Sequence, residues 1–174
     1  MKKSNILICG FIGLALMDSL IGYIFPIDFS FIDDSVVPHF CFLGTLIYVY
    51  DKEWMNRLLI GSLVGLLFDM MFTMTFPIDM VLFGLVSYTI GFFIKWMKKV
   101  KMECFILLVF AFLYDFIPFC WDRVLNPDYA SFGLWFLRFE VITLGFNLAT
   151  IVFLNYIEEV MSRFFLIRAH RQKK

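Results

Sequence analysis

The feature that most constrains this chain is a succession of long apolar runs cut by short charged links. A helix rises 1.5 Å per residue, so about 20 mainly apolar residues match a hydrocarbon layer about 30 Å thick. Six such segments are read, over residues 5–25, 36–50, 58–76, 78–97, 102–121 and 132–157. The second is the shortest, and the sixth is long enough to tilt. Asn126 and Pro127 mark the turn before the sixth. With 61% hydrophobic residues and a mean hydropathy of +0.84 in 174 residues, the chain holds more apolar surface than a small soluble core can bury. The expected fold is an all-α integral membrane protein, a single membrane domain over 1–174 built as a six-transmembrane-helix bundle.

The charges test this division, because cytoplasmic loops concentrate Lys and Arg. With the N-terminus inside, the inner segments hold Lys2 and Lys3, Lys52 and Arg57, Lys95, Lys98, Lys99 and Lys101, and then Arg163, Arg168, Arg171, Lys173 and Lys174. These are thirteen of the 15 basic residues. Arg123 lies in an outer loop and Arg138 inside the sixth segment. The outer loops carry Asp28, Asp33, Asp34, Asp79, Asp122 and Asp128. Both termini are therefore expected in the cytoplasm, with the basic tail able to meet anionic lipid. Met1, Lys2 and Lys3 before an apolar run resemble a signal peptide, but no small-x-small cleavage site follows. The segment reads as an uncleaved first helix.

Several functions are excluded at this level. No stretch outside the apolar runs is long enough for a nucleotide-binding domain, and no Walker or Rossmann glycine pattern occurs. Cys9, Cys41, Cys104 and Cys120 share no metal-ligand spacing and read as small hydrophobes. His39 and His170 are the only histidines, and HExxH is missing. Leu66, Leu67 and Phe68 before Asp69 do not match the GxGD pattern of intramembrane aspartyl proteases. No catalytic residue, metal, cofactor or nucleic-acid partner is expected.

Ionisable groups inside a membrane are costly and so mark structure or function. There are five: Asp18, Asp69, Asp115, Arg138 and Glu140. The three aspartates lie at similar depths in the first, third and fifth segments, about 20 Å from the cytoplasmic end. All five fall in the outer half of the bilayer. Arg138 is a natural counter-ion for one aspartate, while Arg138 and Glu140, two apart, face away from each other. Two readings stay open: a buried network that fixes helix register, and a polar pocket opening outward. Gly61, Gly65 and Asp69 repeat every four residues on one face, with Ser62 nearby, as in close-packing helix pairs. That face packs within the chain or on a partner, and Gly84 and Gly91 mark a matching seam. Pro118 is expected to kink the fifth helix.

The central stretch resembles a known family. Pro38, Tyr48 before a short polar link, Gly61, Gly65, Leu66, Leu67, Phe68 and Asp69, then Pro77, Gly84, Tyr88 and Gly91 resemble the rod shape-determining protein MreD family. The resemblance implies a small protein of the bacterial cytoplasmic membrane with five or six spans and no enzymatic activity. It also implies a place in the elongasome, which inserts side-wall peptidoglycan. The implied partners are MreC first, then RodA, a class B penicillin-binding protein and the MreB filament. The alternative is the substrate-binding S-component of an energy-coupling-factor vitamin transporter, also a small six-helix bundle. The partial small-residue pattern of Gly10, Gly13, Ala15 and Gly22 would serve that docking. A transporter working alone would show inverted repeats or broken helices, and neither is read from the sequence.

Overall fold

A computed structural model describes residues 3–26, 35–72, 78–93, 100–126 and 130–171, with side chains for 7–26, 35–72, 78–93, 101–126 and 130–160. The described residues are helical, with no strand among them. Helix α1 spans Lys3–Ile24, α2 Phe40–Val49, α3 Trp54–Phe72 and α4 Ile78–Thr89, the last extended by a 3₁₀ turn over Ile90–Phe93. Helix α5 spans Val100–Leu125. A short α6 (Phe132–Trp135) leads through a π turn (Phe136–Glu140) into α7 (Val141–Arg171). Four helical stretches are long and apolar enough to cross a membrane: Leu7–Ile24, Trp54–Phe72, Lys101–Leu125 and Phe132–Val160. Phe40–Val49 and Ile78–Phe93 are shorter apolar helices. The outer surface is apolar, with Leu20, Leu63, Met70, Phe92, Phe105 and Val152 exposed, as befits a membrane protein.

Several boundaries differ from those read in the sequence. Helix α3 starts at Trp54, so Trp54–Arg57 are helical rather than part of the link. Helix α5 runs to Leu125 and takes in Asp122 and Arg123, because no glycine or proline lies between Pro118 and Asn126, which the following proline biases away from helix. Helix α7 runs to Arg171, since no glycine or proline interrupts it after Gly145. Pro118 sits inside α5 and cannot donate to the carbonyl of Tyr114. The ends of the third and fourth segments at 73–76 and 94–97 lie outside the described residues. So do Pro77, the acidic stretch with Asp28, Asp33 and Asp34, and the basic link with Lys95, Lys98 and Lys99.

Helix α2 is the centre of the bundle. Eight of its ten residues are buried, and it packs against α1, α3, α4, α5 and α7. A helix apolar on every face needs protein on every face. Phe42 stacks on Tyr114 of α5 with ring centroids 4.5 Å apart and meets Phe83 of α4 edge-on at 5.1 Å. Below α2, Arg57 donates to the carbonyl of Lys52 at 2.9 Å and of Tyr50 at 3.5 Å, answering orphan carbonyls at the end of the helix. In the same link Asp51, 2.8 Å from the Lys52 ammonium, holds that lysine above its usual range.

Helices α3 and α4 form the closest pair. A Cβ on Gly61 would meet the Phe83 carbonyl oxygen at 2.6 Å as well as the Ser87 side chain. On Gly65 it would meet the carbonyl carbon of Asp79 at 2.7 Å and Met80 Cα at 2.8 Å. Gly84 faces Ser62, and Gly91 faces the Arg57 guanidinium. The structure therefore places all four glycines at contacts inside the chain. Gly10, Gly13 and Gly22 of α1 face open space.

A candidate functional site of capped helix ends and buried carboxylates

Helix α2 begins inside the bundle, with its first N–H groups away from water. A buried helix start without partners is costly. His39, at the N-cap, makes no side-chain cap. Asp18 of α1 supplies it instead: Oδ1 accepts the Phe40 N–H at 2.7 Å and Oδ2 the Cys41 N–H at 2.9 Å. The carboxylate also lies at the positive end of the helix dipole.

The same device recurs one hairpin later. Asp69 of α3 accepts the N–H of Asp79 at 3.2 Å and of Met80 at 2.7 Å, at the start of α4. In both cases the bonded N–H groups lie two and three residues after a proline, Pro38 or Pro77. Asp115 of α5 is the third aspartate singled out in the sequence. Each aspartate ends a Leu-x-Asp triplet: Leu16–Asp18, Leu67–Asp69 and Leu113–Asp115. The third aspartate does a different job. Its Oδ2 lies 2.7 Å from His39 Nε2, so it clamps the residue that precedes α2.

The segment before α2 is extended, and it lies along the start of the last helix. The N–H of Ser35 donates to the Arg138 carbonyl at 3.3 Å, that of Val37 to Thr143 Oγ1 at 3.2 Å, and that of His39 to Asn147 Oδ1 at 3.1 Å. Asn147 Nδ2 returns a bond to the Val37 carbonyl at 3.3 Å. The alternation is physical: every second N–H of an extended chain faces one side, and residues 143 and 147 stand one helical turn apart. Irregular backbone in an apolar bundle survives only where protein satisfies it.

The two capped ends are joined by Tyr114, whose hydroxyl donates to Asp79 Oδ1 at 2.5 Å while its ring meets His39 edge-on at 5.2 Å. The aromatic side chains Phe42, Phe83 and Tyr114 pack together beside this polar line.

Of the five ionisable residues singled out in the sequence, Asp18, Asp69 and Asp115 thus hold the core together. The donors found on Asp18 and Asp69 are backbone N–H groups, and Asp115 takes His39. The Arg138 side chain is exposed, and its backbone carbonyl accepts the Ser35 N–H at 3.3 Å. Glu140 is fully buried at the end of the π turn. The sequence reading missed His39, Asp79, Tyr114, Thr143 and Asn147. The signal available was the spacing from Pro38 and Pro77 to the helix starts that follow them, together with three Leu-x-Asp triplets in the apolar runs. Helix α2 is a ten-residue helix entered through irregular chain.

A second feature is a cleft of about 410 Å³ between the end of α2, the start of α5 and the later half of α7, lined by Tyr50, Glu103, Cys104, Asn155, Glu158 and Glu159 among others. It lies apart from the polar line. Among the described residues, no group of three or more His, Cys, Asp or Glu side chains is placed to hold a metal ion. Set against known proteins, the chain matches no family model, no curated protein and no solved structure.

Proposed function

We propose that this chain is a non-enzymatic scaffold of the bacterial cell-elongation machinery, of the MreD type, that binds MreC and helps to control side-wall peptidoglycan synthesis and rod shape. It sits in the cytoplasmic membrane with six spans and both termini in the cytoplasm. RodA, a class B penicillin-binding protein and MreB are its further partners. The observation that carries this reading is how the polar interior is used. Asp18 and Asp69 are engaged by helix ends, Asp115 by His39, and Thr143 and Asn147 by the extended segment. Side chains that would greet a substrate are consumed in fixing the bundle. This also weighs against an S-component, whose outward pocket would need those groups free.

The short second span fits a six-span arrangement. Ten helical residues rise about 15 Å, and residues 35–39 before them add at most about 16 Å. The composite of up to about 31 Å is long enough for a hydrocarbon core of about 30 Å.

The test is purification of the tagged chain from native membranes in mild detergent, with mass spectrometry of what co-elutes. Recovery of an MreC-like coiled-coil protein or peptidoglycan synthases is the expected result. Recovery of a paired ATPase with a membrane coupling subunit, or of a bound vitamin, would replace this reading with the S-component.

A further inference from the structure

Among the described residues, Glu140 is a fully buried carboxylate to which the capping scheme assigns no task. It is 0% exposed, and neither carboxylate oxygen has a hydrogen-bond partner. It closes the π turn Phe136–Glu140, between α6 and α7. Such turns insert an extra residue into a helix and are frequent at functional positions.

The charged group that faces Glu140 from another element is Asp115 of α5, of its own sign. Behind Asp115 stands His39, already held by Asp115 at 2.7 Å. On its own element the neighbouring charge is Arg138, two residues back with an exposed side chain. An ionised carboxylate with no donor, buried beside a second carboxylate, is a very costly arrangement, and such a group takes up a proton instead. A metal ion does not fit the place, since no set of three ligands converges among the described residues.

We propose that Glu140 is a proton-binding site of this protein. The carboxyl holds a proton inside the bundle as a neutral acid, next to the Asp115–His39 pair. No bond other than the O–H is made or broken, and the proton comes from solvent. Loss of that proton puts a second negative charge beside Asp115. The inference concerns the chain alone and does not depend on which partner the protein has.

The experiment is infrared difference spectroscopy of the full chain in lipid vesicles near neutral pH, wild type minus Glu140→Gln. The expected result is a carboxylic-acid C=O band present in the wild type and lost in the variant, with no change in the carboxylate bands. Loss of carboxylate bands with no acid band would overturn the proposal. Selective ¹³C-labelling of glutamate carboxyls, applied to both wild type and Glu140→Gln, separates Glu140 from the chain's four other glutamates. An isotope-shifted acid band present in the wild type and absent in the variant supports the proposal, and a labelled carboxylate lost in the variant with no acid band lost overturns it.

Discussion

Replacing Asp18 with alanine removes the acceptor for two N–H groups at the buried start of α2, the Phe40 and Cys41 amides at 2.7 and 2.9 Å. A hydrogen bond to a charged group contributes about 1.5–3 kcal/mol, and a buried donor left unpaired has no water to turn to. Two of them give a loss of about 3–6 kcal/mol for Asp18→Ala. Asp18→Asn keeps one oxygen acceptor and loses the charge at the helix dipole, so about half of that loss is expected. For a chain of this size each kcal/mol moves the melting temperature by about 2–4 °C. Asp18→Ala should therefore melt at least 6 °C below the parent, with Asp18→Asn in between. Cys41 supplies the assay. Its side chain is fully buried and its own N–H is one of the two that Asp18 binds. In a chain carrying Cys9→Ser, Cys104→Ser and Cys120→Ser, a thiol-reactive fluorogenic dye reads the opening of the α2 start directly. If Asp18→Ala in that background melts within about 2 °C of its parent, the cap is not what holds α2 in place and the reasoning fails.

Three further substitutions test the rest of the arrangement. Gly65→Ala drives a methyl group into the backbone of Asp79 and Met80, the same turn that Asp69 caps, and should cost about 1–3 kcal/mol in thermal unfolding. Gly13→Ala, which meets nothing within 4 Å, should leave the melting temperature unchanged or raised. His39→Ala and Asp115→Ala should each destabilise the chain by about 3 kcal/mol, and the double variant by far less than their sum. Additive losses in that cycle would show that the 2.7 Å contact carries no coupling. Asn147→Leu strips the partner from the His39 N–H and the Val37 carbonyl, so about 2–4 kcal/mol should be lost. The amides of Val37 and His39 should exchange with solvent faster than those of α2 beyond its first turn.

How much of this was legible in the sequence depended on the range of the interaction. The long helices α1, α3, α5 and α7 follow from local hydropathy, and the structure places them close to where the apolar runs lie. The repeat of Gly61, Gly65 and Asp69 was legible as a close-packing face, because small residues four apart share one side of a helix. The matching seam of Gly84 and Gly91 was legible too, and the structure sets it against α3, with Gly84 on Ser62 and Gly91 on Arg57; the approach of the Asp79 and Met80 backbone to Gly65 was not, since it depends on a link whose path the sequence does not state. The α2 segment was hardest. A helix of ten apolar residues is too short for a hydropathy window, and its start is set by Asp18, 22 residues away in the chain. Thr143 and Asn147 were invisible for the same reason: their partners lie more than 100 residues earlier. A mid-helix Asn in an apolar run announces a polar contact, but not with which backbone.

The three buried aspartates Asp18, Asp69 and Asp115 bind these observations into one account. A helix that starts inside an apolar bundle needs an acceptor brought to it, and the neighbouring helix can supply one only at the depth where the new helix begins. A carboxylate is the best such acceptor, because its two oxygens match two successive N–H groups and its charge meets the helix dipole. Asp18 and Asp69 meet that need in α1 and α3, and the N–H groups that each takes lie two and three residues after a proline. Asp115 of α5 takes a different partner, His39, whose Nε2 lies 2.7 Å from Oδ2, so what is closed twice with a helix end is closed the third time with a histidine. The start of α2 is therefore held twice, by Asp18 on its first N–H groups and by Asp115 on the residue before it.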